Sequence, residues 1–551
     1  MPQQLARAWI CALLIALPFL CPWAAGPSVN TWQLLAAWSC SALLVIVGPA
    51  AALAPRLAAW LAFGAAWVLF GRGPGTVPGL SAAAAVGVVG LAACVGAGLA
   101  RSPKWLAGAF GWGLLIAGLV SAILGLLQYY GMADALAPWT TAPKLGEAYG
   151  NLRQRNQFAT LISMALIAAL WLYAIHGRGV RAALWPAGIL LIAAAAASTS
   201  RTGLIQVVSI SIISAFLAWR ERQPLRTGKS DFRLPSPWLL LTIIAVYFFF
   251  AWLLPTLAGP EVEGIFGRLR EGESDAHGRA VLWHNVLALI ARHPWRGWGW
   301  GELSYAHYAT FYSGPRFMLI LDNAHNLPLH LAVELGVPAA VLICGSFGWM
   351  MFAARPWRET DPTRLMAWGM LAAILLHSML EYPLWYGPFQ LVFGLCLGLL
   401  WPAAEKPRPA WRAIPVLSRS AAVLLLAVVG YAGWDYNRIS QIYLARDERL
   451  PAYRDDTLAK LQGSRLFARQ VQFAELTLTP VDKANAARMH ALALQMLHFS
   501  PEPRVITKLI ESATLLGRDD EAFAQAARFK DAFPNDYARW LAGKPLEEPP
   551  D

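Results

Sequence analysis

Arginine is the residue type whose placement in this chain most needs a chemical reason. Arg268, Arg270, Arg279, Arg292, Arg296 and Arg316 crowd one polar segment, which closes on Asp322-Asn323-Ala324-His325-Asn326. Arg201 lies in a tight turn between two long apolar runs, and Arg153 and Arg155 stand just ahead of another. A guanidinium stays charged and offers planar, paired donors that suit phosphate-type oxygens. At the edge of an apolar span it is costly, so it faces a cavity, an anion or a carboxylate. The plain alternatives are contact with lipid head groups and pairing with Glu147 or Glu381. In the long polar segment Arg279 is the preferred anion ligand, because Arg292 and Arg296 follow a helix-like stretch, 280–292, and can simply complement its C-terminal dipole.

His325 is the candidate general base. It precedes Leu327-Pro328, and proline is tolerated in the first turn of a helix. The positive end of a helix dipole favours a neutral imidazole, which can accept a proton. Asp322 and Asn326 flank it as supporting groups, while His330, one turn deeper, reads as a buried structural partner. His377 and Glu381 share a helix face at a spacing of four and are further supporting candidates, with Asn156. A metal site from these histidines and Glu381 has only generic spacing, and none is assigned.

The elements that must position these residues are mostly membrane helices. Of the 551 residues, 57% are hydrophobic and 14% charged, with a mean hydropathy of +0.45. Apolar runs of bilayer-crossing length fall near 8–25, 32–53, 56–70 (a short one), 79–99, 104–130, 156–175, 182–199, 202–219, 237–257, 327–353, 364–380, 385–402 and 417–434. The first leads straight into another span with no small-residue cleavage site, so it reads as a retained helix. The expected fold is all-α: a polytopic bundle of about 12–14 spans. N-terminal spans occupy 1–257, including an external loop at 131–155, followed by a large external loop at 258–326 and further spans at 327–434. From 435 to 551 the pattern turns to soluble amphipathic helices broken by Ser500-Pro501-Glu502-Pro503 and Phe533-Pro534-Asn535-Asp536, without a clean 34-residue TPR repeat.

The net charge of +12 is mainly a topology signal. Alternate loops hold Arg7; Arg56; Arg101 and Lys104; Arg178 and Arg181; Arg220, Arg222, Arg226, Lys229 and Arg233; Arg355, Arg358 and Arg364; and Lys406, Arg408, Arg412 and Arg419. Opposite short loops, such as 21–31 and 381–385, hold none, which places the N-terminus in the cytoplasm and the 258–326 loop and the tail outside. No basic stripe carries interleaved aromatics, which argues against nucleic acid. The six cysteines lie in or beside apolar runs and form no disulfide framework.

Ser200-Arg201-Thr202-Gly203, Arg279 with Trp283, and the Asp322–His325 segment resemble the O-antigen ligase and polymerase superfamily. Gly150-Asn151-Leu152-Arg153-Gln154-Arg155-Asn156-Gln157-Phe158-Ala159 and His377-Ser378-Met379-Leu380-Glu381-Tyr382-Pro383-Leu384 are similar to its PglL-type O-oligosaccharyltransferase branch. The resemblance implies a GT-C-like glycosyltransferase of the bacterial inner membrane. Its donor is a glycan on undecaprenyl pyrophosphate, and its acceptor is Ser or Thr of a periplasmic protein. It further implies Arg201, Arg279 and Arg153 as pyrophosphate ligands, with Arg155 in support, and His325 as base. The family segment reads Gln-Pro-Asn-His where this chain has Gln154-Arg155-Asn156-Gln157, so the roles of those positions depart from the pattern. No cofactor is needed if guanidinium groups supply the charge, and the expected partners are the donor, the acceptor and membrane lipids.

Within the same class, the acceptor can instead be lipid A-core, as in ligases, or a growing glycan, as in polymerases. A transporter or flippase predicts inverted repeats around a midplane site, whereas the polar groups here gather at one face. A scaffold that recruits partners through its tail predicts that His325 and the arginines are dispensable.

Overall fold

The computed structural model describes residues 2–23, 30–70, 77–223, 233–270, 272–404 and 413–546. Arg226, Lys229, Lys406, Arg408 and Arg412, part of the topology signal, lie outside these residues, as do positions 24–29 of the 21–31 loop and the side chains of Arg268 and Arg270. Each apolar run forms helix, because in a bilayer only helices satisfy every backbone polar group within one segment. The first nine are α1 (Pro2–Ala16), α2 (Thr31–Val47), α3 (Pro55–Phe70), α4 (Val77–Leu99), α5 (Lys104–Tyr129), α6 (Arg155–Ile175), α7 (Arg178–Ala197), α8 (Arg201–Glu221) and α9 (Pro237–Ala258). The polar segment that follows forms α10 (Ile265–Arg270), α11 (Gly272–Arg292) and α12 (Leu303–Ala309). Then come α13 (Leu327–Leu335), α14 (Val337–Ala340), α15 (Ser346–Ala354), α16 (Pro362–Ser378), α17 (Gly387–Leu400) and α18 (Ile414–Ser440). The tail forms α19 (Thr457–Leu461), α20 (Ala468–Leu478), α21 (Ala486–Leu497), α22 (Pro503–Leu515), α23 (Asp519–Ala532) and α24 (Pro534–Leu541).

Nine helices among the described residues are long and apolar enough to cross a bilayer, and α2, α3 and α17 are shorter apolar helices. The protein is an all-α, multi-pass membrane protein. The apolar run at 327–353 is not one helix. It breaks at Gly336 (φ 90°), and the stretch of membrane-spanning length runs Val337–Arg358. Two compact units result: Met1–Phe63 with Ala84–Glu273 and Phe347–Val429, and Gly64–Ala83 with Ser274–Ser346 and Gly430–Asp551.

The first unit is built around α6, which α5, α7, α8 and α16 surround. Gly111, Gly118 and Gly125 recur every seven residues on α5, and they face Trp171, Ala165 and Phe158 of α6 so closely that a Cβ would clash. Small residues on such a stripe let two spans approach when hydrocarbon outside gives no hydrophobic drive.

The second unit has two small cores. Leu282, Val286 and Leu289, on one face of α11, pack with Leu303, Ala306, Leu321, Ala324 and Val333. In the tail, consecutive helices α20 to α24 pack each on the next, and Tyr308 of α12 enters their core. Its hydroxyl donates to Gln525 Oε1 (2.8 Å), Arg316 pairs with Asp531 (3.0 Å), and Glu302 bonds His498 (2.7 Å). The long polar segment and the C-terminal helices thus fold as one unit.

Candidate functional site

In the first unit three chain segments converge on a buried polar cluster. The N-terminal end of α6 brings Gln154, Asn156 and Thr160; the turn into α8 brings Ser200; the end of α16 brings His377 and Glu381. Asn156 Nδ2 and Gln154 Nε2 donate to the two Glu381 carboxylate oxygens at 3.2 and 3.3 Å. Ser200 Oγ donates to Asn156 Oδ1 (2.6 Å) and accepts from Gly203 N (2.9 Å), so the N-cap of α8 is also a cluster member. Thr160 Oγ1 lies 2.9 Å from His377 Nδ1, and Gln206 Nε2 donates to Thr160 Oγ1 (3.1 Å) and to the Ala373 carbonyl (3.0 Å). Thr160 and His377 expose no surface. A buried network of this size is stable only when its members satisfy one another.

Arginines edge the cluster. Arg155 opens α6 and forms an ion pair with Glu147, with Thr199 Oγ1 3.4 Å away, so the carboxylate pairing applies to this residue. Arg201 opens α8 and is half-buried. Neither helix has an acidic residue in its first turn. A cation at the positive end of a helix dipole is unfavourable, and an anion between two such ends offsets both. Arg153 is held at φ 56° between the short turn Gly150–Leu152 and α6, and its Nη1 is buried with no hydrogen-bond partner among the described residues. Thr199, beside Arg201, is also left-handed at φ 48°. Side chains with a Cβ seldom adopt this conformation, and strain of this kind gathers at functional sites.

Gln128, at the end of α5, fixes the loop that delivers Arg153. It is fully buried, and its Oε1 accepts from Tyr149 N (3.1 Å) and Gly150 N (2.8 Å). Its Nε2 lies 3.0 Å from Thr140 Oγ1 and from the carbonyls of Thr141 and Gly150.

In the second unit His325 occupies a strained turn. Its φ is 49°, and its backbone N donates to Asn323 Oδ1 (2.9 Å). Asn326 is the N-cap of α13, accepting from Leu329 N (3.1 Å), so His325 stands just in front of the helix and not within its first turn. Trp283 Nε1 donates to the Ala324 carbonyl (3.0 Å), which docks α11 on this turn. Arg279, four residues earlier, shares that face of α11 and is half-buried. Arg279 does not begin the helix, which starts at Gly272; the polar residues before it carry no apolar periodicity to announce two further turns. His330 pairs with Glu334 (3.3 Å) in the interior and is structural. Asp322 is exposed; surrounding protein raises its carboxyl pKa, and His325 and His330 pull it down.

Two arginines of the long polar segment are structural. Arg292 donates to Thr310 Oγ1 (3.3 Å) and the Phe311 carbonyl (3.0 Å), and Arg316 donates to the carbonyls of Thr310 and His307. The Gly-Trp-Gly-Trp-Gly run at 297–301 lies along the end of α13: Trp298 N and Gly299 N donate to Val333 O and Glu334 O at 2.9 and 2.8 Å. The candidate residues therefore divide between the units, with Arg153, Arg155, Asn156, Arg201, His377 and Glu381 in the first and Arg279, Asp322, His325 and Asn326 in the second. Sequence reasoning missed Gln128, Thr160 and Gln206. The available signal was a polar side chain inside an apolar span, which is rare without a role.

Three family models match the chain. "Protein glycosylation ligase" covers residues 148–173, "O-Antigen ligase" covers 186–344, and "Virulence factor membrane-bound polymerase, C-terminal" covers 365–545. The first takes in the loop end and start of α6 that hold Arg153 to Thr160; the second contains Arg201, Arg279 and His325; the third contains His377 and Glu381. A general O-oligosaccharyltransferase of Acinetobacter baylyi is 25% identical over 338 residues, 59% of this chain and 56% of that protein. A ComP-specific O-oligosaccharyltransferase of the same organism is 25% identical over 256 residues, 46% of this chain and 44% of that protein. The matched part thus spans about half the length of each relative. With these matches in order along a multi-pass helical chain, the protein is similar to PglL-type O-oligosaccharyltransferases of the O-antigen ligase superfamily.

Proposed function

We propose that this protein transfers a preassembled glycan from a polyprenyl-pyrophosphate carrier, undecaprenyl pyrophosphate in bacteria, to Ser or Thr hydroxyls of proteins. The observation that carries the proposal is the polar cluster of the first unit, edged by Arg153, Arg155 and Arg201 at two helix N-termini that lack acidic residues. That arrangement suits a pyrophosphate, and the two relatives named as O-oligosaccharyltransferases support the reaction class. Arg201, Arg279 and Arg153 are the residues assigned to the pyrophosphate charge; Arg155, already paired with Glu147, supports the fold of the loop. His325 accepts the proton of the attacking hydroxyl, whose oxygen bonds to the anomeric carbon as the bond to the pyrophosphate oxygen breaks. Attack opposite the leaving group inverts the anomeric centre. The guanidinium groups stabilise the charge gathering on the departing pyrophosphate. The chain sits in the inner membrane with its N-terminus cytoplasmic, and the 258–326 loop and the 435–551 tail are periplasmic, as the distribution of loop cations supports.

Arg201→Ala and His325→Ala are each expected to lower transfer by roughly 100-fold or more while the protein still inserts and accumulates. Purified enzyme, lipid-linked donor and acceptor protein provide the assay, and full activity of either variant would overturn the mechanism. The O-antigen ligase match is also compatible with a second acceptor, lipid A-core. Mass spectrometry of periplasmic proteins from cells with and without the chain separates the two: unchanged protein glycosylation with lost O-chains selects the ligase.

A further inference from the structure

A cavity of about 550 Å³ runs between α6, α8 and α16 in the first unit, within the size range of small-molecule sites. Apolar side chains line most of it. Ile213 forms part of its wall and is itself 56% exposed, so the groove opens sideways toward the surrounding lipid. From Gln206 to Glu221 it follows α8 for roughly 22 Å at the helical rise.

Its two ends differ in chemistry. At one end stands Gln206, 2% exposed, five residues from Arg201. Its amide nitrogen bonds Thr160, which bonds His377, so this end of the groove is the floor of the polar cluster. Gln206 Oε1 is buried there without a partner among the described residues. At the other end Arg220 and Glu221 are used internally. Arg220 donates to the carbonyls of Trp357 (2.9 Å) and Glu359 (2.6 Å), and Glu221 accepts from the backbone of Arg233 (3.0 Å) and Leu234 (3.2 Å). An amphiphile seated here therefore has its head at the cluster and its chain running toward Arg220.

We infer that this groove holds the isoprenoid chain of the glycan donor, whose pyrophosphate lies on the polar cluster; this rests on the donor assignment proposed above. The groove is then a length-selective element: it interacts with isoprene units beyond the first few and is indifferent to the glycan.

The test uses the full-length protein in detergent, with Ser209→Trp and Ala372→Trp to fill the groove. Ile212→Trp, on a lipid-exposed position of α8 outside the lining, is the control. Transfer is measured from a long-chain polyprenyl pyrophosphate donor and from one with two isoprene units carrying the same glycan. The filled variants are expected to lower the long-to-short ratio of kcat/KM at least tenfold, and Ile212→Trp to leave it unchanged. An unchanged ratio in both filled variants overturns the assignment. Chain binding is read separately, by labelling wild-type protein with a photoactivatable long-chain polyprenyl pyrophosphate that carries no glycan. Adducts on 206–217 or 365–376 support the groove even if wild type transfers no glycan, an outcome that sinks the reaction alone. Adducts confined to other helices, or a co-purified phospholipid there that this probe does not displace, sink the groove whether or not transfer occurs.

Discussion

His307 shows how much a single imidazole reports about its surroundings. Its Nε2 lies 2.9 Å from the Phe317 carbonyl, which can only accept, so Nε2 carries the proton and Nδ1 accepts from the Tyr312 hydroxyl at 2.8 Å. Burial, with Arg316 nearby, pushes its pKa down to about 4, against the pull of the Phe317 carbonyl. The unfolded chain, with an ordinary histidine near 6.5, takes up a proton that the folded one refuses. Stability of this region is therefore full above pH about 6.5 and falls as the pH drops toward 4, by about 3 kcal/mol in all. Hydrogen exchange of α12 is expected to quicken between pH 7 and pH 5 beyond the intrinsic chemical trend, and His307→Gln to abolish the excess. A pH-independent opening equilibrium in wild type would count against this. At the residue scale the arginines were legible because cations are unexpected beside apolar spans. Gln128, Thr160 and Gln206 were not, because each has one polar side chain whose meaning depends on partners far away in sequence.

Helix positions followed from apolar run length, and each run did form helix. Where a helix stops inside such a run depends on a close approach that periodicity does not encode. Gly336 breaks the run at 327–353 because the backbone of Trp295 and Arg296 lies against it, and Gly297 answers from the other side. A Cβ on Gly297 would lie 2.4 Å from the carbonyl carbon and oxygen of Glu334, at a φ of +65°. Gly297→Ala is expected to cost about 3 kcal/mol, from the left-handed backbone and the clash together. Gly314→Ala, where the new methyl meets open space, is the matched control. Thermal unfolding of the two purified variants checks this, and equal stability would show that the Gly297 contact yields without cost.

At the scale of the molecule, the polar segment and the tail read as separate domains in sequence, and the structure joins 274–346 and 430–551 in one unit. Nothing local announces this, since Tyr308, Arg316 and Glu302 look like ordinary loop residues until Gln525, Asp531 and His498 are set beside them. A chain ended after Thr479 lacks α21 to α24 and is expected to lose about 2 kcal/mol from the burial of Tyr308 alone. That is roughly a thirtyfold rise in the open population of α12 and the turn after it. Trypsin should then cut at Arg316, whose side chain is 8% exposed in the intact protein. Resistance at Arg316 in the shortened chain would show that the α11 core suffices. The same joining sets an order of assembly during synthesis. Chains fold as they emerge, N-terminal parts first. The segment bearing His325 leaves the ribosome long before Gln525 and Asp531, so every membrane helix can be in place while the second unit still waits for its last helices. Completion of that unit therefore waits on the synthesis of α23, which carries Gln525 and Asp531.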